Sequence, residues 1–328
     1  MRTGFVYDDR FLIHDTGPGH PERADRLLAI VEKFSQLHLD EQLVRLAFEA
    51  APVERVLRLH DPAYVERVET ACRMDKRFID SDDSAICEQS YEIALLAVGG
   101  VLAAVDAVMA GEIHNAFCAV RPPGHHAEHD RSMGFCLFNN IALAADYLTD
   151  RYGLERVAII DFDVHHGNGT QHLLEDRPDI LVINLHEHPM SLYPGTGFAY
   201  EHGKDAGEGY TLNLPLQEGT CSAEYRQVFL QKAMPKLEAF EPEFILISAG
   251  FDASKDDPLA HLELTPSDFD WITRRLKQAA AIFCEGRIVS LLEGGYDLRS
   301  LAECAAVHVQ ALLADPDDDR LMMMKTGF

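Results

Sequence analysis

Aspartate and histidine are concentrated in the segment 161–169, which reads DFDVHHGNG. In an extended segment, side chains two residues apart point the same way, so Asp163 and His165 could bind one ion together. Asp252 could supply a third ligand from a neighbouring segment. Two carboxylates and one imidazole suit a divalent cation such as Zn²⁺ and leave a position open for water. A lone aspartate after a strand often caps the next helix, but the density of polar residues here favours a metal site.

Two adjacent histidines, His125 and His126, follow the rigid segment 122–124, which reads PPG. Adjacent histidines in such a turn cannot both fill the core. Because histidine titrates near neutrality, the pair is suited to general acid and base catalysis. Asp161 and Asn168 could each accept an imidazole N–H and orient one of the rings.

A tyrosine, Tyr296, follows the glycine pair 294–295. The glycines allow the backbone to approach closely and to adopt unusual φ angles. A phenol at this position could donate a hydrogen bond to a developing oxyanion. With the metal ligands and the histidine pair, Tyr296 completes a set of groups for metal-assisted hydrolysis.

The segments that carry these residues each follow a predicted strand. Strands are predicted over residues 5–7, 116–120, 157–160, 180–185, 210–214, 244–247 and 288–292. Helices are predicted over residues 21–37, 62–72, 91–110, 141–148, 170–174, 223–240, 266–284 and 298–313, from apolar spacing and turn residues. Near-continuous apolar strands separated by helices predict a parallel sheet covered by helices on both faces. Ligands bind beyond the carboxyl ends of such strands, so the candidate residues are predicted to converge there.

The composition limits the classes of partner. The 328 residues include 54 acidic and 29 basic residues, a formal charge of -25. Such a surface repels nucleic-acid backbones and anionic membranes, so neither is expected as a partner. The apolar stretch 91–111 is interrupted by Glu92 and Asp106, and we predict a buried helix there and no membrane span.

The cysteines and the chain ends bear on location and domain organisation. Seven scattered cysteines without a CxxC motif suit a reducing compartment, and no signal peptide is evident, so a cytoplasmic protein is expected. There is no linker-like or repeated segment, which predicts a single domain over residues 1–314 and a short C-terminal tail over residues 315–328.

Seven motifs resemble those of the histone deacetylase and acetylpolyamine amidohydrolase superfamily. They are GHPER (19–23), RPPGHH (121–126), GFCLFNN (134–140), DFDVHHGNGT (161–170), YPGTG (193–197), SAGFDA (248–253) and EGGY (293–296). They span nearly the whole chain in the order found in the family. Asn168 resembles the class II, bacterial-type branch, because class I members usually have aspartate there.

The resemblance implies an arginase/deacetylase fold, which is a three-layer α/β/α sandwich with a mostly parallel sheet. It also implies hydrolysis of N-acylated amines such as acetyl-lysine. The implied roles are one Zn²⁺ bound by Asp163, His165 and Asp252, His126 as general base and acid, His125 as its electrostatic partner, and Tyr296 as the group that polarises the carbonyl.

The resemblance also implies a substrate cleft and a second cation site. Gly134, Phe135 and Tyr193 match walls of the acyl-lysine tunnel, and Asp83 or its neighbour Asp82 matches a residue that orients the substrate backbone. A structural monovalent cation, usually K⁺, would be bound by Asp161, Asp163, His165, Asn184 and Leu185. Polyamine-selective relatives place an acid where this chain has Leu259, which argues against strict polyamine selectivity, although two aspartates (256 and 257) lie close by.

Three alternatives compete with a protein lysine deacetylase. A small-molecule deacylase, including one for acetylpolyamines, would share every residue discussed. A ureohydrolase with two Mn²⁺ ions would need a further carboxylate where Ser254 stands. A non-catalytic binder of acylated ligands would be expected to lack the tyrosine or a histidine. A homo-oligomer is possible on the sequence alone.

Overall fold

Eight parallel strands form the central sheet of the computed structural model, which describes residues 1–315. The described residues form ten strands in all, which are β1 (Thr3–Val6), β2 (Val44–Arg45), β3 (Phe78–Ile79), β4 (Ser81–Ala85), β5 (Asn115–Cys118), β6 (Val157–Asp161), β7 (Ile180–Glu187), β8 (Thr211–Leu216), β9 (Phe244–Ala249) and β10 (Ile288–Leu292). The order across the sheet is β2-β1-β5-β10-β9-β6-β7-β8, and β3 pairs with β4 in a separate antiparallel hairpin. The predicted tail lies outside the described residues from position 316 onwards.

Helices in two groups pack on the sheet. They are α1 (Asp25–Gln36), α2 (Val53–Val56), α3 (Pro62–Arg73), α4 (Ser90–Met109), α5 (Asn140–Tyr152), α6 (Asn168–Leu174), α7 (Ser222–Val228), α8 (Met234–Phe240), α9 (Pro266–Phe283) and α10 (Leu298–Leu313). In one group α10 packs against α1 and α9, and in the other α4 packs against α3 and α5. The α/β/α architecture predicted from the sequence is confirmed.

The inner strands are mostly apolar because helices cover both of their faces. β6 and β10 are buried at every position, which matches the continuous apolar runs in the sequence. The apolar helix α4 is long enough to cross a membrane by length and composition, but 72% of its most apolar window is buried inside the protein. The prediction of a buried helix is therefore confirmed.

Several segments in the N-terminal part of the chain differ from the prediction, and the short elements β2 and α2 were not predicted. The helix expected to begin at Pro21 begins instead at Asp25, because Glu22 is fully buried as the partner of two arginines and holds the preceding segment out of the helix. The β3–β4 hairpin was not predicted, since β3 has only two residues and β4, which reads SDDSA, lacks an apolar alternation.

The four central strands position the candidate site. β5, β10, β9 and β6 are neighbours in that order, and all four run in the same direction. Their carboxyl ends lead into the RPPGHH, EGGY, SAGFDA and DFDVHHGNGT segments. The convergence predicted from the sequence is therefore a direct result of strand order.

Candidate active site

Asp163, His165 and Asp252 form a buried cluster that could hold a metal ion. Their candidate ligand atoms all lie within 4.8 Å of one another. The Nδ1 atom of His165 is 3.1 Å from Oδ1 of Asp163 and 3.2 Å from Oδ2 of Asp252. Burial, and then the neighbouring charge of Asp163, raise the pKa of Asp252. Two buried carboxylates and an imidazole at this spacing suit a divalent cation such as Zn²⁺, which would relieve their repulsion.

Glycine in the EGGY segment allows the backbone to reach these carboxylates. The N–H of Gly294 donates to Oδ2 of Asp163 at 2.8 Å. A Cβ atom on Gly294 would lie 2.0 Å from Oδ2 of Asp252, a separation that atoms cannot adopt. Glycine at this position is therefore required by the close approach of the turn to the two carboxylates.

The two adjacent histidines have the predicted partners. Nδ1 of His125 lies 3.0 Å from Oδ2 of Asp161, and Nδ1 of His126 lies 2.7 Å from Oδ1 of Asn168. The rings are 4.0 Å apart between centroids, and both are buried. Each imidazole is thus held by a hydrogen bond on the side opposite its Nε2 atom.

Electrostatics separate the two histidines. Burial alone would lower the pKa of His125, but the carboxylates of Asp163, Asp161 and Glu293 together raise it well above its usual value. Burial, followed by the positive charge of His125, lowers the pKa of His126 well below its usual value. This arrangement favours a protonated His125 beside a neutral His126, which is a suitable pairing for an electrostatic partner and a base.

Buried charged groups hold the turn that carries Tyr296. The guanidinium of Arg26 donates to the carbonyl oxygens of Glu293 at 2.5 Å and Gly295 at 2.7 Å, and it lies 5.0 Å from the centre of the Tyr296 ring. Asp257 accepts the main-chain N–H of Tyr296 at 2.7 Å. Burial raises the pKa of Tyr296 well above its usual value, so the phenol stays protonated and can donate a hydrogen bond.

A cleft of about 240 Å³ opens above the cluster. All five residues predicted to contact substrate line it, together with catalytic candidates and Leu192, which was not predicted; the lining comprises Asp83, His126, Gly134, Phe135, His165, Leu192, Tyr193, Leu259 and Tyr296. The phenol of Tyr193 donates to Oδ2 of Asp83 at 3.3 Å, across the cleft. Asp82 is absent from this lining, so Asp83 is the better match of the two.

The predicted monovalent-cation residues adjoin the same loop. Oδ1 of Asn184 is buried and has no hydrogen-bond partner. It faces Gly167, where a Cβ would lie 3.2 Å from it and 2.5 Å from Oδ2 of Asp161. An unpaired buried oxygen beside a carboxylate fits a cation such as K⁺, with Leu185 adjoining it on β7.

Three supporting residues were not identified from the sequence. Glu293 accepts the N–H groups of Gly124 at 2.8 Å and His125 at 3.2 Å, Arg26 holds the tyrosine turn, and Glu128 contacts Asn168. Glu293 lies inside the EGGY motif and Arg26 lies three residues after GHPER, but position in or near a motif does not reveal what a side chain contacts.

The sequence is similar to those of known deacetylases. The family profile described as "Histone deacetylase domain" matches residues 20–312. A "Probable deacetylase" of Archaeoglobus fulgidus is 38% identical over 319 residues, covering 97% of this chain and 88% of that protein. A "Histone deacetylase-like amidohydrolase" of Pseudomonas aeruginosa is 37% identical over 334 residues, covering 95% and 86%.

A solved structure extends the similarity to three dimensions. The HD domain of HDA15 superimposes with a TM-score of 0.90 at 36% sequence identity, covering 95% of this chain and 88% of that one. The profile match covers most of the chain, and the sequence and structural similarities cover 95% to 97% of it. The chain therefore belongs to the histone deacetylase family.

Proposed function

We propose that this chain is a Zn²⁺-dependent deacylase that removes acetyl or other short acyl groups from N-acylated amines such as acetyl-lysine. Hydrolysis of an amide bond in an acylated amine follows from its family. The observation that carries the zinc dependence and the residue roles is the meeting of the Asp163–His165–Asp252 cluster, His126 and Tyr296 around one cleft. K⁺ is proposed as a structural cation beside Asn184.

The chain's own groups account for the proton transfers. When bound, Zn²⁺ would polarise the acyl carbonyl and make a water molecule more acidic. His126 accepts the proton of the attacking water at Nε2, while protonated His125 stabilises the negative charge that develops nearby. The phenol of Tyr296 donates a hydrogen bond to the acyl oxygen. His126 then donates the proton that it accepted to the leaving nitrogen as the C–N bond breaks. A carboxylate and a free amine result.

The cleft supports an unbranched acylated amine as substrate. Aromatic walls from Phe135 and Tyr193 favour a thin alkyl chain, and the apolar Leu259 stands where an acid would favour polyamines. An acetylpolyamine remains the second candidate, because Asp83 places a carboxylate in the lining of the cleft. A single domain and a cytoplasmic location stay predictions from the sequence.

The test is hydrolysis of three substrates by the purified protein: an acetyl-lysine peptide, an acetylated polyamine and a small acylated amine. We expect release of acetate that stops with a chelator and returns with Zn²⁺, with one zinc per chain by metal analysis. Two Mn²⁺ per chain with release of urea from a guanidino compound would indicate a ureohydrolase instead.

Variants of the proposed catalytic residues test the roles. We expect Tyr296→Phe to lower kcat about 100-fold, as loss of an oxyanion donor does, and His126→Ala to lower it by a similar or larger factor. Tyr200→Phe, at a tyrosine that is 72% exposed, is the matched control and should retain activity. Full activity in Tyr296→Phe or His126→Ala would show that the roles are wrongly assigned.

A further inference from the structure

Glu128 is a buried carboxylate two residues after His126 that has no role in the mechanism above. Its Oε1 atom accepts the Nδ2–H of Asn168 at 2.5 Å. Both of its oxygens also lie about 3 Å from Nδ1 of His172, at 2.9 and 3.0 Å. Asn168 and His172 are four residues apart on α6, so they share one face of the helix and reach the same carboxylate.

These contacts determine which way the Asn168 amide faces. Its Nδ2 atom lies against two acceptors, the carboxylate of Glu128 and, at 3.3 Å, the main-chain carbonyl of His126. A reversed amide would place its oxygen against both of these oxygens, which repel it. The carboxylate has no hydrogen to donate when ionised, so the amide nitrogen must face it.

The amide orientation in turn decides the tautomer of His126. With Nδ2 facing Glu128, the Oδ1 atom of Asn168 is the one that lies 2.7 Å from Nδ1 of His126. An amide oxygen only accepts, so Nδ1 must carry the hydrogen. A neutral imidazole has one N–H, which leaves the lone pair on Nε2.

We propose that Glu128 is a positioning residue that acts through Asn168 to keep the proton of His126 on Nδ1 and to leave Nε2 as the proton acceptor. The inference rests on the proposed function, in which His126 is the base. If Glu128 served only as a buried partner of His172, its replacement would change stability and leave the tautomer alone. The two roles therefore give different experimental results.

The first test compares two substitutions of Glu128. Glu128→Gln keeps a carbonyl oxygen that can accept from Asn168, so kcat should stay within about threefold of the parent. Glu128→Leu removes the acceptor, so kcat should fall about tenfold or more while KM changes less than about twofold. Glu41→Leu removes the acid of an exposed His38–Glu41 pair and is the matched control. Unchanged kcat in a folded Glu128→Leu protein would overturn the proposal.

A second test asks whether a substitution of Glu128 restores the kcat that a substitution of Asn168 removes. It can be carried out even if Glu128→Leu fails to fold. Asn168→Asp alone would set two carboxylates against each other, so kcat should fall about tenfold or more. Adding Glu128→Gln supplies an amide N–H for the new carboxylate, which can still accept from Nδ1 of His126. The double variant should recover at least about half of that loss on a logarithmic scale. A double variant whose kcat is as low as that of Asn168→Asp, or lower, would overturn the proposal.

A third measurement does not depend on turnover. Long-range ¹H–¹⁵N spectra of the zinc-loaded, ¹⁵N-histidine-labelled protein report which ring nitrogen is protonated, with the His126 signals assigned from a His126→Gln spectrum. We expect an Nδ1–H tautomer in the parent and in Glu128→Gln, and a mixture in Glu128→Leu. An Nε2–H tautomer in the parent would overturn the proposal. An unchanged Nδ1–H tautomer in a folded Glu128→Leu protein would overturn it as well. If the parent shows the Nδ1–H tautomer and Glu128→Leu a mixture, but no acylated amine is hydrolysed, the proposed function fails and the positioning role stands.

Discussion

At the scale of single residues, neighbours of one type acquire different chemistry from their surroundings. His125 and His126 are adjacent in the chain, yet carboxylates raise the pKa of the first, while burial and the first ring lower the pKa of the second. The sequence predicted their partners, Asp161 and Asn168, because both lie in one dense motif. It did not predict Glu128, since an acid after a histidine pair has many possible contacts.

Gly134 offers a prediction at this scale. Its φ is +52°, and a Cβ there would lie 2.2 Å from Cδ2 of His126. We expect Gly134→Ala to displace the His126 ring and to lower kcat about tenfold or more, because His126 is the proposed base and a small misplacement of such a group is costly. Steady-state kinetics measures kcat, and circular dichroism checks that the variant is folded.

A matched control separates strain from displacement. Gly153 has a φ of +67°, and a Cβ added there would have no atom within 4 Å. Gly153→Ala should lower stability by roughly 1 kcal/mol through backbone strain and leave kcat unchanged. An equal loss of kcat in both variants would mean that the contact with His126 is unimportant.

At the scale of elements, a buried charge network connects the N-terminal segment to the tyrosine turn. Glu22 is fully buried between Arg121, whose Nη2 donates to it at 2.8 Å, and Arg26, whose Nη1 donates at 3.1 Å. Although burial opposes ionisation, the two arginines hold the pKa of Glu22 below its usual range. Arg26 continues the network to the carbonyl oxygens of Glu293 and Gly295. The turn is therefore positioned by residues from the opposite end of the chain.

Neutralising Glu22 tests this network. We expect Glu22→Gln to lower the free energy of unfolding by about 3 kcal/mol or more, because two buried guanidinium groups lose their counter-charge. Urea denaturation followed by circular dichroism measures the change. Glu41→Gln, at an exposed acid, should alter stability by less than about 0.5 kcal/mol. Similar small effects in both variants would contradict the network's importance.

The elements themselves were predicted to different extents, for physical reasons. The inner strands and α9 follow from apolar runs and from a proline beside a capping threonine, Thr265, which are local signals. The start of α1 was wrong, because a contact between Glu22 and Arg121, 99 residues apart, overrides the local preference for proline at a helix start. The β3–β4 hairpin, which carries Asp83, has no apolar pattern to reveal it.

At the scale of the whole molecule, several buried histidines are neutral and make stability depend on pH. Burial lowers the pKa of His60 and of His14 to about 4, and that of His308 to about 3. His308 lies between the hydroxyls of Thr273 and Ser290, at 2.6 and 2.8 Å. In the unfolded chain these imidazoles would titrate near pH 6.5.

The sign of the pH effect follows from proton uptake. Between about pH 6.5 and 4 the unfolded chain binds protons at these histidines and the folded protein does not, so stability is present above pH 6.5 and is lost as the pH falls. We expect His308→Gln to reduce the slope of unfolding free energy against pH by up to about 1.4 kcal/mol per pH unit in this range. Urea denaturation from pH 4 to 7 measures the slope, with exposed His38→Gln as control. An unchanged slope in His308→Gln would show that this histidine is charged in the folded protein.

The position of β10 has a consequence for how the protein is made. This strand is the last of the sheet in sequence, yet it lies between β5 and β9 and joins β2-β1-β5 to β9-β6-β7-β8 through its hydrogen bonds. We therefore expect that, during synthesis on the ribosome, the facing edges of β5 and β9 stay unpaired until residues 288–292 emerge. The turn that follows this strand brings Tyr296 into the cleft. We therefore expect one step of folding to complete the candidate site and to pair the exposed edges of β5 and β9.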